Sequence, residues 1–65
     1  MAYNEILMQL RKAKGKSRRE VAEAIGVSPS SIAMYERGER APKDDTKVKL
    51  ANYYKKSVTS IFFAN

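Results

Sequence analysis

Apolar residues recur along this chain at helical spacing, and no segment shows the period-two alternation of a strand. Ile6, Leu7 and Leu10, with Ala13 or Lys14, follow the rhythm of one buried helical face. Asn4 stands where an N-cap is needed, Glu5 suits the positive helix end, and Gly15 ends the segment. A first helix is therefore predicted over 4–14. Ser17 and Glu20 form the S-x-x-E pattern of a capping box, and Val21, Ala22 and Ile25 supply the apolar stripe of a second helix. Gly26 and Val27 make a turn. Ser28 then caps a third helix with Pro29 in its first turn, Ile32 and Tyr35 inward, and Gly38 as its stop. After the polar loop GERAPK, residues 38–43, Asp44 or Asp45 caps a fourth helix. Its inner face takes Leu50, Ala51 and Tyr54, with Val48 or the Lys47 stem near the start. Lys55 and Lys56 break the pattern, and Ser57 caps a last helix, Val58 to Phe63, with Val58, Ile61 and Phe62 as its apolar face. The prediction is an all-α fold of five short helices. Segments of about 6–11 residues are unstable alone, so packing must hold them.

The length of 65 residues gives one domain spanning 1–65. There is no cysteine and no histidine among them, which removes disulfides, thiolate or imidazole metal ligands and a catalytic imidazole. No cofactor, metal or small-molecule ligand is expected. No apolar run approaches the roughly 18–20 residues of a membrane span, and the N-terminus lacks the order of a signal peptide. The expectation is a soluble cytoplasmic protein, associated with the nucleoid. Thirteen Lys and Arg against seven Asp and Glu give a net charge of +6, which points to a polyanionic partner such as nucleic acid. The adjacent carboxylates of Asp44 and Asp45 do not change this. Neighbouring residues on a helix do not face each other, and a helix N-terminus explains them better than catalysis or a metal. The chain is not expected to be an enzyme.

Residues 18–38, RREVAEAIGVSPSSIAMYERG, carry the most information. A small residue at Ala22 lets two helices cross closely. Gly26 lets the turn reach positive φ without a Cβ clash. Val21, Ile25, Val27, Ile32 and Tyr35 hold the two helices at a fixed angle. Through LRKAKGKSRREVAEAIGVSPSSIAMYERGERAP, and more weakly LANYYKKSVTSIFF, the chain resembles the Cro/C1 (Xre-type) helix-turn-helix repressors of phages and bacteria. The resemblance implies a compact, lambda-repressor-like DNA-binding domain with helices two and three as the helix-turn-helix. It implies double-stranded operator DNA as partner, and a homodimer at least when bound.

The resemblance also assigns roles. Ser28, Pro29, Ser30, Ala33 and Met34 would face base edges, with Arg37 one turn further on and able to reach a base or a phosphate. No Asn, Gln, Lys or Arg lies between 28 and 36, so the bidentate contacts to guanine or adenine are missing from the helix centre. The serine hydroxyls can pair with either donors or acceptors, and Ala33 and Met34 can pack on thymine methyls, so an operator with important T positions and modest discrimination per base is expected. Arg18 and Arg19 at the start of helix two, Ser31, and Arg40 with Lys43 in the following loop would grip phosphates. Family members often carry Gln where this chain has Arg18. An apolar position before helix two is Lys16, and the glycine and apolar residue between helices four and five are Lys55 and Lys56. Arg11 and Glu36 are implied to form a structural ion pair. Phe63, with Val58 or Tyr53, is the candidate dimer contact, since so short a final helix can hardly bury both faces.

The resemblance, together with these features, implies a sequence-specific transcriptional regulator, a Cro-like repressor of a phage or mobile element that binds a palindromic operator as a dimer through the major groove. The alternative is an antitoxin-like module that uses the same fold to hold a partner protein. Steep salt-dependent binding to palindromic DNA separates the first from the second. An RNA-binding reading lacks an exposed aromatic platform for single strands.

Overall fold

The computed structural model describes residues 1–63, so the last two residues of the expected 1–65 span lie outside it. It contains five helices: α1 (Tyr3–Lys14), α2 (Arg18–Ile25), α3 (Pro29–Arg37), α4 (Asp44–Tyr54) and α5 (Val58–Phe62). No strand occurs among the described residues. α3 packs against α1 and α2, α2 also meets α4, and α5 closes the bundle against α4 and α1. Every helix contributes to one core: Leu7 from α1, Val21, Ala22 and Ile25 from α2, Ile32 and Tyr35 from α3, Leu50, Ala51 and Tyr54 from α4, and Ile61 from α5. Val21 and Ala22 are fully buried, which is why the α2–α3 crossing accepts only a small residue at 22.

Three serines start helices by the same local chemistry. Ser17, Ser28 and Ser57 have extended backbones, and each Oγ accepts the amide three residues on, from Glu20 at 3.1 Å, Ser31 at 3.1 Å and Ser60 at 3.0 Å. Glu20 completes the capping box by accepting the Ser17 amide at 2.8 Å.

Three local expectations are corrected and one open alternative is resolved. Asn4 does not cap α1. The helix starts one residue earlier, after Ala2, whose amide donates to the Glu5 carboxylate at 3.3 Å. Asn4 instead packs against Gly38, where an added Cβ would meet its Cγ at 3.3 Å. Ala13 and Lys14 are exposed, and Tyr3 packs on the core instead, beside the expected Ile6 and Leu10. Neither Asp44 nor Asp45 caps α4. Lys43 holds the cap position, with an extended backbone and no side-chain bond, and the two aspartates lie in the first turn, where the positive helix end favours them. Between Lys47 and Val48, the lysine stem is the covered one: its side chain is 21% exposed, whereas Val48 is 48% exposed. Lys47 Nζ lies 5.6 Å from the Phe62 ring and 5.4 Å from the Phe63 ring, so one residue supplies both apolar cover and a cation over two aromatic faces.

α5 ends at Phe62, with Phe63 as its cap. At the other α4 boundary, Lys55 adopts φ 57° and ψ 44°, the only positive φ on a non-glycine among the described residues. The bond from the Lys56 amide to the Ala51 carbonyl, 2.9 Å, closes the turn over this residue.

Candidate nucleic-acid interface

α2 and α3 are joined by Gly26 at φ 78°, whose amide caps the Ala22 carbonyl at 2.9 Å. α3 then divides cleanly. Ile32, Tyr35 and Glu36 are buried. Ser30, Ala33, Met34 and Arg37 stand three and four apart and therefore share the opposite face. Ser28, Pro29, Ser30 and Arg37 are exposed, and Ala33 and Met34 are half-buried. The Ser28 and Ser31 hydroxyls share a hydrogen bond of 3.0 Å. Ser31 is therefore partly engaged with the cap, with one hydroxyl proton between the two oxygens.

Around this face the cations occupy distinct settings. Arg18 and Arg19 open α2, Arg18 with 40% of its side chain exposed and Arg19 open to solvent. Arg40 and Lys43 are exposed in the loop between α3 and α4. The Arg40 carbonyl accepts the Tyr3 hydroxyl at 3.3 Å, which ties that loop to α1. Arg37 is held by Glu39, through Nε at 3.1 Å and Nη2 at 3.2 Å.

Behind the face lies one buried carboxylate. Glu36 is 4% exposed. It accepts Arg11 Nε at 2.7 Å, Arg11 Nη2 at 3.0 Å and Arg18 Nε at 3.1 Å. Arg11 Nη1 donates to the Lys16 carbonyl at 3.0 Å. The Arg11–Glu36 pair joins α1 to α3, and Arg18 joins α2 to the same carboxylate. The hydrogen bond to Glu36, then its charge, holds the Arg11 pKa above its ordinary value against the opposing effect of burial. Burial and then the Glu36 charge push the Tyr54 phenol up as well, so Tyr54 stays neutral in the fold. Among the described residues, no buried side-chain nitrogen or oxygen lacks a partner.

The residues considered for a dimer contact lie in different surroundings. Phe63 is 62% exposed beneath Lys47, near the start of α4. Val58 is half-buried at the start of α5. Tyr53, in the last turn of α4, stacks edge-on against Tyr54 at 5.0 Å and carries Lys14 Nζ at 5.0 Å over its ring.

Residues 7–61 match the helix-turn-helix family. The chain belongs to that family, in its Cro/C1 type. It is 33% identical over 54 residues to the HTH-type transcriptional regulator ImmR of Bacillus subtilis (strain 168), a match covering 83% of this chain and 42% of that protein. It is 35% identical over 52 residues to the cryptic phage CTXphi transcriptional repressor RstR of Vibrio cholerae, covering 80% of this chain and 47% of that one. The chain thus spans less than half the length of these curated relatives. In fold it is similar to the P22 c2 repressor protein, solved in complex with a synthetic operator. The TM-score is 0.95 over 100% of this chain and 98% of that one, at 20% identity.

Set against the Cro/C1 helix-turn-helix pattern, two features of this member escaped sequence reasoning. Arg18 and Glu36 stand 18 residues apart, and no local pattern announces their bond. Arg37 and Glu39 would not face each other on a helix, being two apart. They meet because Gly38, at φ 74°, turns the chain back on itself. A glycine followed by an acid just past an arginine is a signal that could have revealed this second pair.

Proposed function

We propose that this protein is a sequence-specific double-stranded DNA-binding transcriptional regulator, a Cro-like repressor of a phage or mobile element. In this reading the described helices act as one cytoplasmic DNA-binding domain, without catalysis or cofactor. It binds a palindromic operator as a dimer, with α3 in the major groove of each half-site. Ser28, Pro29, Ser30, Ala33 and Met34 face the bases, with Arg37 at the far end within reach of a base or a phosphate. Arg18, Arg19, Ser31, Arg40 and Lys43 meet phosphates. Phe63, with Val58 and Tyr53, supplies the dimer contact.

The observation that carries this reading is the division of α3. Its inner face is locked by Ile32, Tyr35 and Glu36, and its outer face is nearly uncharged between the arginines of α2 and the basic loop after Gly38. An uncharged reading face with cations to either side suits base contact at the centre and phosphate contact at the edges. Absence of a membrane-length apolar helix among the described residues is compatible with it.

Selection of bound sequences from a random DNA pool tests the proposal. The expected result is a palindrome with half-sites about 34 Å apart, one helical turn, and thymine-rich key positions. Enrichment of no sequence would overturn it. Sedimentation with and without the selected DNA tests the dimer. Loss of association in Phe63→Ser is expected, and a strict monomer with unchanged affinity after that substitution would remove Phe63 from the interface.

A further inference from the structure

Glu36 is buried, yet it does more than join α1 to α3. Its Oε1 accepts both Arg11 Nη2 at 3.0 Å and Arg18 Nε at 3.1 Å, while Oε2 accepts Arg11 Nε at 2.7 Å. One carboxylate is thus shared by two guanidiniums, and the trio keeps a net charge of +1 (two arginines against one glutamate). Arg11 spends all its nitrogens on Glu36 and the Lys16 carbonyl, and its side chain is 13% exposed. Arg18 spends only Nε. Among the described residues its two Nη groups bond to no protein atom, and its side chain is 40% exposed. The surplus charge of the trio therefore resides on the free edge of Arg18, at the first position of α2.

A long arginine side chain ordinarily loses rotamer freedom when it grips a ligand. Here its Nε is already anchored to a carboxylate that Arg11 fixes from the other side. The planar guanidinium keeps its outer fork, the edge suited to a phosphate oxygen pair. We infer that Glu36 is a positioning residue for phosphate binding, holding Arg18 by Nε so that its two Nη groups are set in advance toward the DNA backbone. This rests on the DNA-binding reading above and names the device that tunes it. Lysine at 18 would keep the charge but lose the Nε anchor and the fork.

The experiment measures binding of a random-sequence duplex by fluorescence anisotropy across a salt series, for wild type, Arg18→Ala, Arg18→Lys, and Glu36→Gln in the wild-type and Arg18→Ala backgrounds, with circular dichroism under the same conditions giving the folded fraction by which each affinity is corrected. Position 18 is partly exposed and Glu36 retains Arg11, so both variants should fold. Arg18→Ala should weaken binding and lower the slope of log K against log salt by about 0.9. Arg18→Lys should keep the wild-type slope yet lose affinity on the order of threefold, the scale of a partly exposed ion pair. Glu36→Gln should then weaken the wild-type protein more than it weakens Arg18→Ala, because only the former has an arginine to position. Arg18→Lys binding as tightly as wild type, or Glu36→Gln acting equally in both backgrounds, would overturn the inference and leave DNA binding standing. Wild-type protein that binds no duplex would overturn both.

Discussion

Arg37, the last residue of α3, is paired through two nitrogens with Glu39, one residue beyond the turn at Gly38. Both side chains are about half exposed, at 52% and 55%, so the pair contributes little to folding. Its consequence is electrostatic. Glu39 neutralises the cation at the end of the outer face of α3 and, in the proposed function, competes with DNA for its donors. Glu39→Gln should therefore tighten binding to all duplexes and steepen the salt slope by about 0.9 for one more neutralised phosphate, with little change in melting temperature. A salt series on wild type and variant checks this, and an unchanged slope would show that Arg37 stays away from the backbone.

The buried pair behaves differently. Arg11→Ala leaves Glu36 buried with only the partly exposed Arg18 for a partner. The expected loss is about 3 kcal/mol, the lower end for breaking a buried ion pair, because one partner remains. Urea denaturation measures it. A loss under about 1 kcal/mol would place this pair with surface ion pairs in its energetics.

Lys55 sits at φ 57° in a left-handed turn, where the resemblance to the family leads one to expect glycine. A non-glycine residue there costs about 1–2 kcal/mol, and glycine's greater freedom when unfolded offsets about half of that. Lys55→Gly should stabilise the fold by about 0.5–1 kcal/mol. A urea midpoint that falls would show that the lysine side chain contributes more than its backbone costs.

The Glu20 carboxylate is held below its ordinary pKa by the Ser17 amide first and the Ser17 hydroxyl second. The sign follows from linkage. A lowered folded-state value means the stabilisation is present above the ordinary carboxylate range and lost as pH falls through the folded value. Glu20→Gln should flatten the acid limb of stability against pH and leave the neutral region parallel to wild type. Melting curves from neutral to acid pH test it, and an acid limb of unchanged steepness would contradict it.

What was legible from sequence was local. Ser17, Ser28 and Ser57 bond three residues ahead, so their roles lie within a four-residue window, and the period of Val21, Ala22, Ile25, Ile32 and Tyr35 marks the inner faces of α2 and α3. Asn4 has cap chemistry too, but packing against Gly38 takes it into the helix, and Gly38 is 34 residues away. Lys47 outcompetes the more apolar Val48 because the rings of Phe62 and Phe63 lie on its side of α4. For the candidate interface, the faces and, through the resemblance, the Arg11–Glu36 pair were legible, whereas the Arg18–Glu36 and Arg37–Glu39 pairings were not. Position at the start of α2 says that Arg18 is accessible, but only the fold says that its Nε rests on Glu36.

In the proposed function, the nearly uncharged outer face of α3 reads bases while the flanking cations grip phosphates. The most direct test compares wild type with Ser30→Ala and Met34→Ala on a selected operator, its single-base variants and a scrambled duplex. Altered preference among the operator variants with unchanged affinity for the scrambled DNA is expected. An equal loss of affinity on every duplex would contradict it.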